Sequence, residues 1–128
     1  MTKQIIAVRK DLNMRKGKLA AQVAHASMAF LTRKMIGTDG GNGVYEICLS
    51  AEENKWIHKS FTKVIVGVDS EQELLDLIQR GRSLGIITWE IVDEGRTEFQ
   101  GVPTLTCAAF GPDKAEKLDP ITGHLKLL

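Results

Sequence analysis

KDLNMRKGKLAAQVAHASMAFLTRKM, residues 10–35, is the stretch whose reading decides the fold. It reads as one long helix. At about 100° per residue, Leu19, Ala20, Val23, Ala24, Ala26, Phe30 and Leu31 share one side, and Lys18, Gln22 and His25 fall in a narrow stripe opposite. One side is built for burial, while the other carries an amine, an amide and an imidazole in a row. Asp11 or Asn13 is placed to cap the helix, and Gly17 sits in its first turns despite a poor helix propensity. A glycine there lets either a ligand or a neighbouring helix approach the backbone.

Upstream, QIIAV (residues 4–8) is a short apolar run rich in β-branched residues, the pattern of a buried first strand. Downstream, GTDGGNG (residues 37–43) reads as a connecting loop. It lacks the Lys-Ser/Thr ending of a phosphate-binding loop and does not match GxGxxG followed by a helix. Residues 44–49 suit a short edge strand. Ser50 with Glu53, and Ser70 with Glu73, have capping-box spacing and open two further helices. Trp56 and Ile57 are expected as core anchors on the first of these, and Leu74, Leu77 and Ile78 give the second its apolar face. KVIVGV (residues 63–68) is a strand with burial on both faces, and residues 86–92 form another. A polar loop, DEGRTEFQGVP, leads into a strand over residues 104–110. Gly111-Pro112-Asp113 then starts a short last helix ending near Leu118.

This alternation predicts an α/β fold: a twisted, mixed, mostly parallel sheet of about four strands with helices on both faces. The short link between the last two strands permits an antiparallel pair. A chain of 128 residues, 43% apolar, is expected to form a single domain over residues 1–128 without disulfides or metals. No segment is long and apolar enough to span a membrane, and the N-terminus lacks a signal-peptide pattern. A cytoplasmic location is therefore expected. Cys48 and Cys107 have no partner at metal-ligand spacing and fit no disulfide framework.

The net charge of +1 hides an asymmetry. Residues 1–36 carry eight basic side chains against Asp11 alone, a local +7, whereas the remainder carries nine basic and fifteen acidic side chains, a local −6. A positive field around the long helix would attract a polyanion. Arg15, Lys16 and Arg33 are candidate phosphate contacts.

Ligands of open α/β sheets collect beyond strand ends where helices begin. If the first and third strands are near neighbours, Lys18, Gln22, Asp93, Arg96 and Thr97 converge on one cleft. Thr104 and Thr106 alternate along the last strand and face the same side. An amine, a carboxylate and hydroxyls suit activation of water and stabilisation of an oxyanion. No GxSxG elbow, HExxH or paired metal-ligand motif is present, and Ser27 lies on the apolar face of the helix. Two roles fit His25, a bond to a neighbouring strand or a place in the site. Asp93 could also cap the following turn, and Arg96 could pair with a local carboxylate.

VRKDLNMRKGKLAAQVAHA, DEGRTEF, TLTCAAFGP and ITGHLKLL occur in that order across almost the whole chain. In these four segments the chain resembles the type 2 peptidyl-tRNA hydrolases. The resemblance implies a three-layer α/β/α fold, usually a homodimer, that hydrolyses the ester between a peptide and the terminal ribose of tRNA without a metal or organic cofactor. It places the family's catalytic lysine on Lys18, its aspartate on Asp93 and its threonines on Thr97 and Thr106. Substrate-binding positions would be Gln22, His25, Arg96 and Thr104, with Arg15, Lys16 and Gly17 at the helix start. The chain departs from the family pattern in having DEGRT where DAGRT is usual, a longer GVP loop, and an apparent insertion at residues 37–49. The rival readings are a non-catalytic RNA-binding protein on this fold and an esterase for another aminoacyl-tRNA.

Overall fold

The computed structural model describes residues 1–36, 38, 40–96 and 98–128. Strand β1 (Thr2–Arg9) is the centre of the fold. Its core-facing positions alternate between two hydrophobic clusters. Ile5 and Ala7 meet Leu74, Leu77 and Ile78 of helix α3 (Glu71–Ser83) and Leu118 and Ile121 of helix α4 (Ala115–Thr122). Ile6 and Val8 meet Ala26, Leu19 and Val23 of helix α1 (Lys16–Met35). Successive residues of a strand point to opposite faces, so helices cover both sides of the sheet. A strand buried on both faces reads as an unbroken apolar run, which is why QIIAV is so legible. Leu74 has no exposed surface; Leu74→Ala would cost about 2–5 kcal/mol.

Among the described residues the sheet has four strands in the order β2-β1-β4-β3, with β2 at Lys63–Val68, β3 at Thr88–Asp93 and β4 at Thr104–Lys114. It is mixed, as expected, but not mostly parallel. Only β1 and β2 run parallel; β4 pairs antiparallel with both β1 and β3. The crossover through α1 and helix α2 (Ala51–His58) makes one parallel pair, while β4 inserts itself between β1 and β3. Strand β2 therefore lies at an edge, and its outer side is met by the C-terminal segment through a bridge from Val66 to Leu127.

The long helix starts later than the periodicity suggests. Residues Lys10–Leu12 form one 3-10 turn, Asn13 adopts a left-handed conformation at φ 52°, and α1 begins at Lys16 behind Arg15, with no side-chain cap. Neither Asp11 nor Asn13 caps it. The helix is also rotated about its axis. Gln22, Ala26, Ala29 and Phe30 are buried, whereas Ala20 and Ala24 are exposed. The buried arc is turned roughly a quarter of the circumference toward the polar stripe. Alanines contribute little apolar area, so polar side chains with partners on the sheet decide the orientation. Gln4 and Ser27 make one such tie: Gln4 Nε2 donates to the Ser27 carbonyl at 3.0 Å, and Ser27 Oγ donates to Gln4 Oε1 at 2.7 Å.

Helix α2 has both bonds of its capping box, Glu53 N–H to Ser50 Oγ and Ser50 N–H to Glu53 Oε1. Ser70 caps α3 through Glu73 N–H, but the Glu73 carboxylate accepts from Asp69 N–H rather than completing the box. Trp56 is buried edge-on to Phe30, whereas Ile57 is 36% exposed. Residues 44–49 form no strand, and β4 runs on through Gly111 and Pro112 to Lys114 because Thr2 and Lys3 continue the pairing. The last helix accordingly begins at Ala115, not at Gly111.

Candidate active site

α1 crosses β4 and the outer strand β3 with its first turns over the carboxyl end of β3. The first and third strands are not neighbours, yet the convergence survives because α1 spans the strand between them. Lys18, Gln22 and Asp93 meet there. Lys18 Nζ donates to Asp93 Oδ1 at 2.7 Å, Gln22 Nε2 donates to the same oxygen at 3.2 Å, and Gly95 N–H donates to Asp93 Oδ2 at 2.8 Å. The Lys18 and Asp93 side chains are each 15% exposed, so the pair is partly dried but open to a ligand. The Lys18 ammonium, with the Gly95 N–H and Gln22 amide adding to it, holds the Asp93 carboxyl below the usual carboxylate range despite the opposing cost of burial. Asp93 is thus a firmly ionised anchor at neutral pH.

Beneath this pair, a register shift between Ile91 and Val92 leaves one extra residue on β4. Such a bulge breaks strict alternation. Thr106 and Cys107, adjacent in sequence, both reach α1: Thr106 Oγ1 donates to Gln22 Oε1 at 2.7 Å, and Cys107 Sγ donates to the Gln22 carbonyl at 3.4 Å. The threonine hydroxyl fixes which way the Gln22 amide points, leaving its NH₂ for Asp93. Burial pushes the Cys107 thiol up to about 11, so it is an inert packing group rather than a nucleophile.

Above the pair opens a cavity of about 340 Å³ lined by Lys18, Gln22, His25, Asp93, Glu94 and Arg96, among others. His25 is exposed at its rim. Arg96, also exposed, pairs with Glu94 at 2.8 Å, the local carboxylate partner its surroundings allowed. Thr106 is fully buried and reaches the cavity only through Gln22. Thr104 Oγ1 donates to the Val102 carbonyl. Thr97 lies outside the described residues. Arg15, Lys16 and Gly17 are exposed at the start of α1, and a side chain at Gly17 would meet nothing within 4 Å. That glycine leaves open space at the helix end and accommodates no packing neighbour.

Sequence reading missed two participants. Gly95 supplies a backbone donor to Asp93 from a left-handed conformation at φ 82°; Asp followed two positions later by Gly is an Asx-turn signature that would have found it. Phe99 places its ring 5.9 Å from the Lys18 ammonium, and no short-range pattern announces that contact. Among the described residues no three His, Cys, Asp or Glu side chains are grouped to hold a metal ion.

Comparison with known proteins places the whole chain in one family. A family described as Peptidyl-tRNA hydrolase PTH2 matches residues 2–128. A Peptidyl-tRNA hydrolase from Thermoplasma acidophilum is 41% identical over 127 residues, covering 98% of this chain and 97% of its own. Proteins of the same name from Metallosphaera sedula and Methanocaldococcus jannaschii are 39% and 38% identical, each covering 98% of this chain and 99% of their own.

Proposed function

This chain belongs to the peptidyl-tRNA hydrolase PTH2 family and hydrolyses the ester between peptide and tRNA; we propose that it does so in the α1–β3 cleft, by direct attack of water and without a covalent enzyme intermediate. The observation that carries this reading is the Lys18–Asp93 pair, opening into a cavity and supported from below by Gln22 and Thr106.

Oδ1 of Asp93 already accepts from two side chains, whereas Oδ2 accepts one described bond, from Gly95. A carboxylate offers about four acceptor sites, so Oδ2 is the atom that would orient the attacking water. The water oxygen adds to the ester carbonyl carbon, and the carbonyl oxygen takes up negative charge beside Lys18. Collapse expels the terminal ribose oxygen, which takes up one proton of the attacking water, and the other proton passes to solvent as the new carboxylic acid ionises. The products are a peptide carboxylate and free tRNA. Because Asp93 is held strongly ionised, its role is alignment more than proton abstraction. Thr97 is assigned to the site by resemblance, for positioning water or ribose. His25, Arg96 and Thr104 are assigned to substrate contact.

Arg15, Lys16 and Gly17 flank the cleft and suit the phosphates next to the scissile ester, which position the substrate without reading bases. Affinity should fall steeply with salt. Among the described residues no helix is long and apolar enough to cross a membrane. Action in the cytoplasm, as one domain spanning residues 1–128 and as a homodimer, completes the proposal; sedimentation tests the last point.

The deciding experiment compares an N-blocked aminoacyl-tRNA with its free counterpart in one hydrolysis assay. Release from the blocked ester alone, abolished by Asp93→Asn, is expected. Hydrolysis of both substrates would indicate a broader esterase, and hydrolysis of neither an RNA-binding role.

A further inference from the structure

The seam between α1 and β3 holds a second cavity, of about 350 Å³, at the far end from Lys18. Phe30, Arg33 and Lys34 of α1, Arg82 of α3 and Trp89 of β3 line it. It is as large as the catalytic cleft but differently equipped. The Arg33 guanidinium lies over the Trp89 ring, 5.2 Å from its centre, within cation–π range. Lys34 is engaged by Glu53 at 3.0 Å and Arg82 by Glu90 at 2.9 Å. Arg33, exposed, has no carboxylate partner among the described residues. A cation left unneutralised beside a half-buried indole is equipped to meet a group that is both planar and anionic.

Position narrows the choice. Arg33 continues the helical stripe of Lys18, Gln22 and His25, and fifteen residues of helix separate it from Lys18, about 22 Å. A distance of that size is spanned by a short stretch of a single nucleic-acid strand, a few nucleotides long. Aromatic rings and arginine planes hold unpaired bases by stacking, while guanidinium groups take phosphate oxygens.

We infer that the Arg33–Trp89 cavity is a second RNA-binding site, which grips the strand leading to the terminal ester: a base takes the place of Arg33 over Trp89, and Arg33 moves aside to hold a phosphate with Arg82. The inference rests on the α1–β3 cleft being the ester site. It makes the seam a two-point clamp: one end reacts, and the other sets how much tRNA must be present for tight binding. Glu90 tempers the grip, because a phosphate on Arg82 must displace it.

The test measures binding of deacylated tRNA by fluorescence anisotropy over a salt series for Arg33→Glu, Trp89→Leu and Trp89→Phe. Lys117→Glu serves as a control with the same charge change on exposed α4. Arg33→Glu should weaken binding about tenfold and reduce the salt slope by about 1. Trp89→Leu should weaken it about fivefold or more, with Trp89→Phe restoring most of the loss. Each variant should hydrolyse a minimal N-blocked aminoacyl-adenosine ester at the wild-type rate, because that substrate ends before the second cavity. Wild-type tRNA affinity in Arg33→Glu, or an equal loss in Lys117→Glu, overturns the inference. A protein that hydrolyses neither substrate yet shows the predicted binding pattern retains the RNA site and loses the ester reading.

Discussion

Thr106 Oγ1 donates to Gln22 Oε1 at 2.7 Å across 84 positions of sequence, entirely within the protein interior. The bond turns the Gln22 amide so that its NH₂ faces Asp93. In the proposed site Thr106 is therefore a positioning residue acting through Gln22. Thr106→Val keeps the volume but strands a buried amide oxygen, which should cost about 1–3 kcal/mol in denaturant unfolding and lower kcat about tenfold. Thr106→Ser should restore both. Unchanged stability and rate in the valine variant would break the link between these residues.

In the proposed mechanism Lys18 both holds Asp93 and meets the developing oxyanion. Lys18→Met should reduce kcat by about 10²–10³, the usual loss of one oxyanion donor, while KM for peptidyl-tRNA stays within about threefold. A variant with raised KM and intact kcat would make Lys18 a binding contact only.

Asp93 is held below its ordinary value of 3.8 first by the Lys18 hydrogen bond, then by the Gly95 and Gln22 donors. A carboxylate with a depressed folded pKa favours the folded state when ionised. Its stabilisation is fully present above the unfolded value and is lost as pH falls through the lower folded value. The acid limb of kcat/KM should accordingly lie below pH 3.8 in the wild type and move upward in Lys18→Met. A limb that ignores Lys18 would assign the titration to another group.

Legibility followed the range of the interactions. β1 and the Ser50–Glu53 box are local signals, an apolar run and a three-residue spacing; the box forms as read, and the strand read at residues 4–8 extends over Thr2–Arg9. The alternation along β4 does not continue through Thr106, because the bulge that turns Thr106 and Cys107 to one side is a property of pairing with β3. Likewise, Gly111-Pro112 resembles a helix start until Thr2 and Lys3 extend the sheet beside it. Lys18 and Asp93 are legible from the polar stripe and the strand end, and the motif resemblance adds to both, whereas the rotation of α1 that buries Gln22 is set by tertiary partners on β3 and β4.

Gly95 tests whether the loop after Asp93 is built for its backbone donor. At φ 82°, an added Cβ would lie 2.4 Å from the Val102 carbonyl oxygen, closer than any non-bonded contact tolerates. Gly95→Ala should displace the loop, remove the N–H from Asp93 and lower kcat/KM at least tenfold. The two hydrophobic clusters lie elsewhere, so far-UV circular dichroism should hardly change. Full activity would show that Asp93 does not need this donor.

The DEGRT loop makes a last prediction. Glu94 and Arg96 are largely exposed, at 72% and 84% of their side chains, and face each other at 2.8 Å. Exposed ion pairs contribute about 0–1 kcal/mol to stability, so the pair matters for charge rather than folding. Both residues line the cleft, and Glu94 places a negative charge where an RNA phosphate would approach. Glu94→Ala should leave the melting temperature within about 2 °C. It should also free Arg96 for phosphate and lower KM for peptidyl-tRNA several-fold at low salt, with the gain fading as salt screens the interaction. An unchanged or raised KM at low salt would mean that Arg96 already reaches substrate with Glu94 in place.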